Sequence, residues 1–437
     1  MISRPAGHRA IIPDRVRPGP ELHPARRLRI PAAVAAPPTT DDRVRGGNGR
    51  RRRRLLWLRI AIIRAVHRLA CLLPQRRVVV LATSHAPRIG GNLAFIRDEL
   101  TRRQPPVPVR VLAYAARPGK KGLVLGFLHA ARAAIHMATA RVLVVDDYFF
   151  PLYVIGRRRG LRVIQTWHAS GAFKKIGYSV LDKTFGADEE LIGKVPIHSN
   201  YDYCLMASRS AARHYAEAFR QPLERFVTDL GIPRTDVLFG DERIAALREQ
   251  LRTRYDLPPG KKVILYAPTF RGDTVLRARS PQDLDLRLMR EILGEDHLLL
   301  LKLHPFVRGR HLIAPAVEGF VRDASDHPDI NELMHVSDIL LTDYSSAIYE
   351  FSLLVKPMVF FAPDHEDYEG ERGFYFDFRT GVPGPVFETT EEVARYIRAG
   401  EFDLERVRRF RDESFEIADG HATARVVDEL ILPGLEG

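Results

Sequence analysis

The stretch "DILLTDYSSAIYEF", residues 338–351, decides the fold. A short apolar run stops on Thr342-Asp343-Tyr344-Ser345-Ser346, and helix formers resume at once. Asp and Ser are good helix N-caps, which is one account of the five polar-capable residues. A helix N-terminus carrying two hydroxyls is also a natural seat for phosphate, which is the other.

The same strand-then-helix rhythm extends in both directions. Upstream, "RRVVVLATS" (76–84), "VPVRVLAYAA", "ARVLVVDDYF", "LRVIQTWHA" and "YDYCLMAS" are short buried-type strands separated by helical stretches. After the helix "DERIAALREQLRTRYDLPPG" the pattern restarts with "KKVILYAPTF", "HLLLLKLHPF", "DILLTDYSS" and "KPMVFFAPD". Near-continuous apolar strands alternating with helices indicate parallel sheets covered on both faces. The fold class is therefore α/β, with two Rossmann-like domains in tandem: an N-terminal one over 76–238 and a C-terminal one over 239–400, then C-terminal helices over 401–437. Such sheets bind ligands beyond the carboxyl ends of their strands, where each polar cluster of this sequence falls.

A chain of 437 residues with 45% apolar content can build two such cores. Its only cysteines, Cys71 and Cys204, form no CxxC pair, so neither a disulfide scaffold nor a zinc site is expected. The net charge of +13 is local: residues 1–59 hold 15 arginines against four acidic residues, and the remainder is nearly neutral. That places the charge on a tail and says little about the active site. With no nucleic-acid motif present, a nucleic-acid partner is not expected. Residues 1–50 read as a disordered basic arm, or as translated upstream sequence. In "RRRRRLLWLRIAIIRAVHRLACLLP" (50–74), Arg59, Arg64 and Arg68 interrupt the apolar run, which rules against a secretory signal or an ordinary membrane span. On a helix over 51–75, Leu55, Leu58, Ile62, Val66, Leu69 and Leu73 share one broad face, with the arginines and His67 on the other. This helix suits an anionic membrane surface, or docking on the protein's own body.

Three further stretches carry chemistry, and two more read as structural. "QTWHASGAFKKIG" (165–177) sets Trp167 and His168 after a strand, followed by Lys174 and Lys175; histidine is the usual mover of protons near neutral pH. In "YAPTFRGD" (266–273), Thr269 can donate to phosphate and Arg271 can fork two bonds to it. In "LKLHP" (301–305), Lys302 and His304 share one face of a strand. "LGIPRTDVL" (230–238) reads as an ordered turn with an Arg234–Asp236 pair, and "DHEDYEGERGFYFDF" (364–378) as a loop packing beside the cleft, with no metal-site spacing.

Together with "DDYFFPLY", these stretches resemble the CDP-glycerol glycerophosphotransferase family of teichoic-acid-type polymerases and primases, in order over about residues 76–400. The resemblance implies a GT-B fold and a peripheral place on the cytoplasmic face of the membrane. It also implies a CDP-glycerol or similar CDP-alcohol donor, and transfer of glycerol phosphate or a related polyol phosphate to a lipid-linked or polymer acceptor with release of CMP. It makes His168 the catalytic base, with His304 as a second catalytic residue in a basic motif shared with Lys302. Thr269, Arg271, Lys302, Thr342, Ser345, Ser346 and Glu350 are assigned to the donor, the serines heading a helix over 346–354 and Glu350 reaching a ribose hydroxyl. Asp343 ties down the loop, and Trp167, Lys174 and Lys175 lie on the acceptor side. No cofactor is required, and any Mg²⁺ would enter only through donor phosphates. The sequence departs from the familiar Trp-His-Gly-Thr-Pro pattern at Ala169–Phe173, which puts acceptor identity, and less so the donor alcohol, in doubt. The alternative on the same architecture is a nucleotide-sugar glycosyltransferase.

Overall fold

The computed structural model describes residues 46–84, 86–115, 119–180, 195–271, 283–304, 307 and 314–436. The expectations for residues 1–45, Asp273 and Pro305 lie outside these residues. Residues 56–437 form one compact unit, which carries every strand described here.

In that unit β1 (Arg76–Thr83), β2 (Val109–Ala113), β3 (Ala140–Val145), β4 (Arg162–Gln165), β5 (Tyr203–Leu205) and β6 (Phe226–Val227) make one sheet, ordered β2-β1-β3-β4-β5-β6. A second sheet, ordered β12-β11-β10-β7-β8-β9, contains β7 (Lys262–Tyr266), β8 (His297–Leu301), β9 (Val321–Asp323), β10 (Ile339–Thr342), β11 (Met358–Phe361) and β12 (Val386–Phe387). All the pairings are parallel.

The apolar runs are continuous because successive side chains serve different cores. On β1, Val79 and Leu81 join a central core, while Val80 and Ala82 join the outer core of the first lobe. On β8, Leu298 and Leu300 enter that same central core, and Leu299 and Leu301 the outer core of the second lobe. One apolar cluster thus runs through both lobes. Strand order reverses between β1 and β3 in the first sheet, and between β7 and β10 in the second. Loops leaving the carboxyl ends of strands at such a reversal diverge and open a crevice. The turn after β10 begins at one reversal; Asp146 and Asp147 follow β3 at the other.

The segment 401–437 is not an appendage. Val426, Val427, Leu430, Ile431 and Leu435 belong to the central core, and the helix Ala422–Val426 packs on the helix Gly91–Arg102 of the first lobe. Asp236 caps it, accepting from the Ala422 and Thr423 amides at 3.0 and 2.8 Å and the Thr423 hydroxyl at 2.6 Å. The expected Arg234–Asp236 pair is therefore absent; each residue reaches a different long-range partner.

The helix Gly46–Ala70 docks on the first lobe through Ile60, Ile63, His67 and Ala70. The stripe predicted as its apolar face is split: Leu55, Leu58, Leu69 and Leu73 are exposed, Leu69 at 68%, whereas Ile62 and Val66 are half-buried and Val66 packs on the core. His67 was placed on the polar face and is buried. Two stripes of this helix are apolar, and a groove lined by Ala130, Ala133 and Ala134 takes the isoleucine one. Arg64 fixes the rotation by donating to the Val154 carbonyl at 2.7 Å, and the Arg59 guanidinium lies over the Phe150 ring at 5.1 Å.

Candidate active site

The first half of the site is the turn after β4. Trp167 adopts a φ of 52°, unusual for a residue with a Cβ. Three bonds hold it there: Gln165 Oε1 accepts from the Trp167 amide at 2.8 Å, and Asn92 donates to the carbonyls of Thr166 and Trp167 at 3.1 and 3.0 Å. The indole is buried among Tyr148, His198, Tyr215 and Phe219. His168 stacks on it, ring centroids 4.6 Å apart, with about half of its side chain exposed. Its Nδ1 lies 3.1 Å from the Asp146 carbonyl and 3.9 Å from an Asp147 carboxylate oxygen. A carbonyl can only accept, so Nδ1 carries the proton and Nε2 is the basic nitrogen.

Below this turn lies His198, fully buried and stacked on Phe219 at 3.8 Å. Burial pushes its pKa down to about 3, so it stays neutral. The sequence carried no sign of its role beneath Trp167, because its partners come from three distant segments.

The second half is the turn after β10. Asp343 is buried and accepts from the Thr269 amide at 2.8 Å, the Thr269 hydroxyl at 2.9 Å and the Tyr344 amide at 2.6 Å. Its other oxygen meets Arg271 Nη1 at 2.9 Å. Arg271 also forks onto Asp364 at 2.6 and 3.0 Å and lies over the rings of Tyr344 and Tyr368. Burial opposes its charge, but Asp343 and Asp364 outweigh burial and raise its pKa. Asp343 anchors the loop, as expected. Thr269 and Arg271, expected on the donor, are spent on that same anchor, and the Thr342 hydroxyl donates to the Ala267 carbonyl at 2.6 Å. What the turn presents is Ser345, whose Oγ accepts from the Ala347 amide at 3.2 Å, and Ser346. The helix they head is Ala347–Ser352, shorter than predicted.

Glu350, expected at a donor ribose, is engaged by the first lobe. It is buried and accepts from the Ser170 hydroxyl at 2.8 Å, with Arg234 Nε at 3.7 Å. Lys302 lies beyond the end of β8, buried, donating to the Ser325 carbonyl at 2.8 Å. His304 follows; burial first, then Lys174, Lys302, His168 and Arg372, hold its pKa down to about 4. At neutral pH it offers a neutral imidazole rather than the cation its motif suggested.

The loop 364–378 packs beside the cleft, as predicted. It pairs with the His168 loop through a Lys174–Phe374 bridge, the Lys175 amide donating to the Gly373 carbonyl at 3.1 Å and the Tyr375 amide to the Phe173 carbonyl at 3.2 Å. The Lys174 ammonium rests over the Tyr368 ring at 5.1 Å. Lys174, expected on the acceptor side, sits between the lobes. Among the described residues no three His, Cys, Asp or Glu side chains gather as a metal site.

Comparison with known proteins adds four findings. The profile of the family described as CDP-Glycerol:Poly(glycerophosphate) glycerophosphotransferase matches residues 65–432. The teichoic acid ribitol-phosphate primase of Bacillus spizizenii is 38% identical over 363 residues, covering 82% of this chain and 92% of its own. The teichoic acid poly(glycerol phosphate) polymerase of Bacillus subtilis is 39% identical over 269 residues, 60% of this chain and 35% of that larger protein. Among solved structures, the wall teichoic acid polymerase TagF superposes with a TM-score of 0.68 at 25% identity, over 86% of this chain and 94% of that one.

Proposed function

This chain belongs to the CDP-glycerol:poly(glycerophosphate) glycerophosphotransferase family and is a transferase of the teichoic-acid type; on that premise we propose that it moves ribitol phosphate from CDP-ribitol to a hydroxyl of a lipid-linked polymer, releasing CMP. The observation that carries the chemistry is His168, with Nδ1 committed to the Asp146 carbonyl and its ring half exposed at the strand ends. The choice of ribitol over glycerol is supported by the ribitol-phosphate primase, which aligns along 82% of the chain against 60% for the glycerol-phosphate polymerase.

In this reading His168 Nε2 takes the proton of the acceptor hydroxyl as its oxygen attacks the β-phosphorus. The bond from that phosphorus to the bridging oxygen breaks, and CMP leaves with the α-phosphate. The developing charge is met by the hydroxyls of Ser345 and Ser346, the amides opening their helix, and the Lys174 and Lys302 ammonium groups. His304 enters as a neutral hydrogen-bond donor; the diphosphate's own charge would raise its pKa on binding. No protein-bound metal is invoked, and activity persisting in a chelator tests this.

No helix among the described residues is long and apolar enough to cross a membrane. The exposed Leu58, Leu69, Leu72 and Leu73, on a helix rich in arginine, are proposed to rest on an anionic membrane surface at its cytoplasmic face. Vesicle sedimentation of Leu69→Ser/Leu72→Ser checks this, with retention of full binding counting against it.

The deciding experiment measures CMP release from CDP-ribitol and CDP-glycerol with a membrane-lipid acceptor. Release from CDP-ribitol, lost in His168→Ala, is expected. Release from CDP-glycerol alone would reverse the donor assignment. UDP release from a UDP-sugar, with none of CMP, would move the protein to the glycosyltransferase reading.

A further inference from the structure

We propose that Glu350, Ser170 and Arg234 are positioning residues that hold the His168 turn in register with the Ser345–Ser346 turn across the two lobes. The inference rests on the function proposed above and deepens it. Glu350 is 3% exposed, yet the partners of its carboxylate among the described residues come from outside its own lobe. A buried carboxylate without its partners is costly, so the observed approach of the lobes supplies the contacts that offset its burial.

Both partners lead back to His168. Ser170, itself fully buried, lies two residues after it. Arg234 Nη1 donates to the His168 carbonyl, and the Arg234 amide donates to Asn92 at 3.0 Å. That is the same Asn92 that holds the Thr166 and Trp167 carbonyls. At the other end Glu350 lies four residues after Ser346, one helical turn along the same face. The two elements are also pressed together. A Cβ on Gly171 would stand 2.1 Å from the Tyr349 ring, so only glycine allows the loop this close to the helix. Two links thus join the base's turn to the helix behind the turn assigned to the donor diphosphate: the Ser170–Glu350 hydrogen bond at 2.8 Å and the Arg234–Glu350 ion pair at 3.7 Å. Displacing such a base by a fraction of an ångström costs rate without touching the donor site.

The test uses the full chain and the Glu350→Gln, Ser170→Ala and Arg234→Lys variants, with folding checked by melting temperature. Hydrogen bonds to charged groups of this kind correspond to about a 10- to 100-fold change in rate. Glu350→Gln is expected to lower kcat for CMP release by that factor while the donor KM stays within about threefold. In a His168→Ala background the same substitution is expected to have no further effect, because it acts through His168. A raised donor KM with kcat retained would instead make Glu350 a donor ligand. An additive loss in the His168→Ala background, or an unchanged kcat in a folded Glu350→Gln, would equally overturn the inference. A second readout needs no turnover: diethyl pyrocarbonate labelling of the His168 peptide should quicken several-fold in Glu350→Gln. An unchanged labelling rate overturns positioning even if the parent turns over no CDP-alcohol, an outcome that by itself would sink only the proposed reaction.

Discussion

Replacing Asp343 with Ala separates a loop anchor from a ligand contact. The carboxylate accepts three hydrogen bonds, from Thr269 twice and from Tyr344, and pairs with Arg271 at 2.9 Å while 2% exposed. Its removal leaves the Thr269 and Tyr344 amides unsatisfied in the core and takes from Arg271 one of two carboxylates. Breaking a buried pair from one side costs about 3–5 kcal/mol. Arg271 keeps Asp364, which argues for the lower end, about 3 kcal/mol. For a cooperative unit the size of the second lobe, each kcal/mol shifts the melting temperature by about 2–4 °C, so a fall of about 6–12 °C is expected. Arg271→Met should fall less far, since Asp343 then keeps its amide donors. The assay is thermal unfolding followed by circular dichroism, run beside CMP release at a temperature where the variant is folded. A melting temperature within about 2 °C of the parent, combined with a large rise in donor KM, would refute the anchoring argument and place Asp343, with Arg271, at the donor site.

Three further outcomes follow from particular contacts. Gly171→Ala should lose activity or fold poorly, since the new methyl would meet the Tyr349 ring at 2.1 Å; unaltered CMP release would show that the loop is not pressed on that helix. Asp236→Ala should lower the melting temperature by a few degrees and speed proteolysis within 420–437, because it removes the cap of the Ala422–Val426 helix at a typical cost of about 1 kcal/mol; equal proteolysis rates would count against this. The pKa of His304 sits at about 4 in the folded chain, against about 6.5 unfolded. Between those values the unfolded chain takes up a proton that the folded chain refuses. Stability should therefore fall as pH drops from about 6.5 towards 4 and level off below, and His304→Asn should lose less over that window. Equal pH dependence in melting temperature would refute it.

Much of the architecture was legible because parallel strands advertise themselves. Val79 to Ala82 and Leu298 to Leu301 are apolar without alternation because each residue is buried on one face or the other. The Asp343 anchor was legible too, since a carboxylate beside a phosphate site is better spent on the loop. The protein partners of Thr269, Arg271, Thr342 and Glu350 were not legible in the same way. Their types suit phosphate or ribose, and nothing local distinguishes a side chain facing a ligand from one facing Asp364 or Ser170.

The sequence by itself determined the two-sheet α/β organisation, the placement of His168 after a strand end and of Ser345-Ser346 before a helix, and the concentration of positive charge in the first 59 residues. These are properties of neighbours along the chain: hydrophobic period, capping residues, charge runs. Tertiary structure alone decided which stripe of the Gly46–Ala70 helix is buried, that residues 422–435 return to the first lobe, that Glu350 is held by Ser170 and Arg234, and that His304 is neutral. Each of these depends on groups far apart in sequence meeting in space, where burial and the sum of nearby charges set the outcome. A side chain's chemistry is written in its residue type, but its partner is set by the packing of the whole chain.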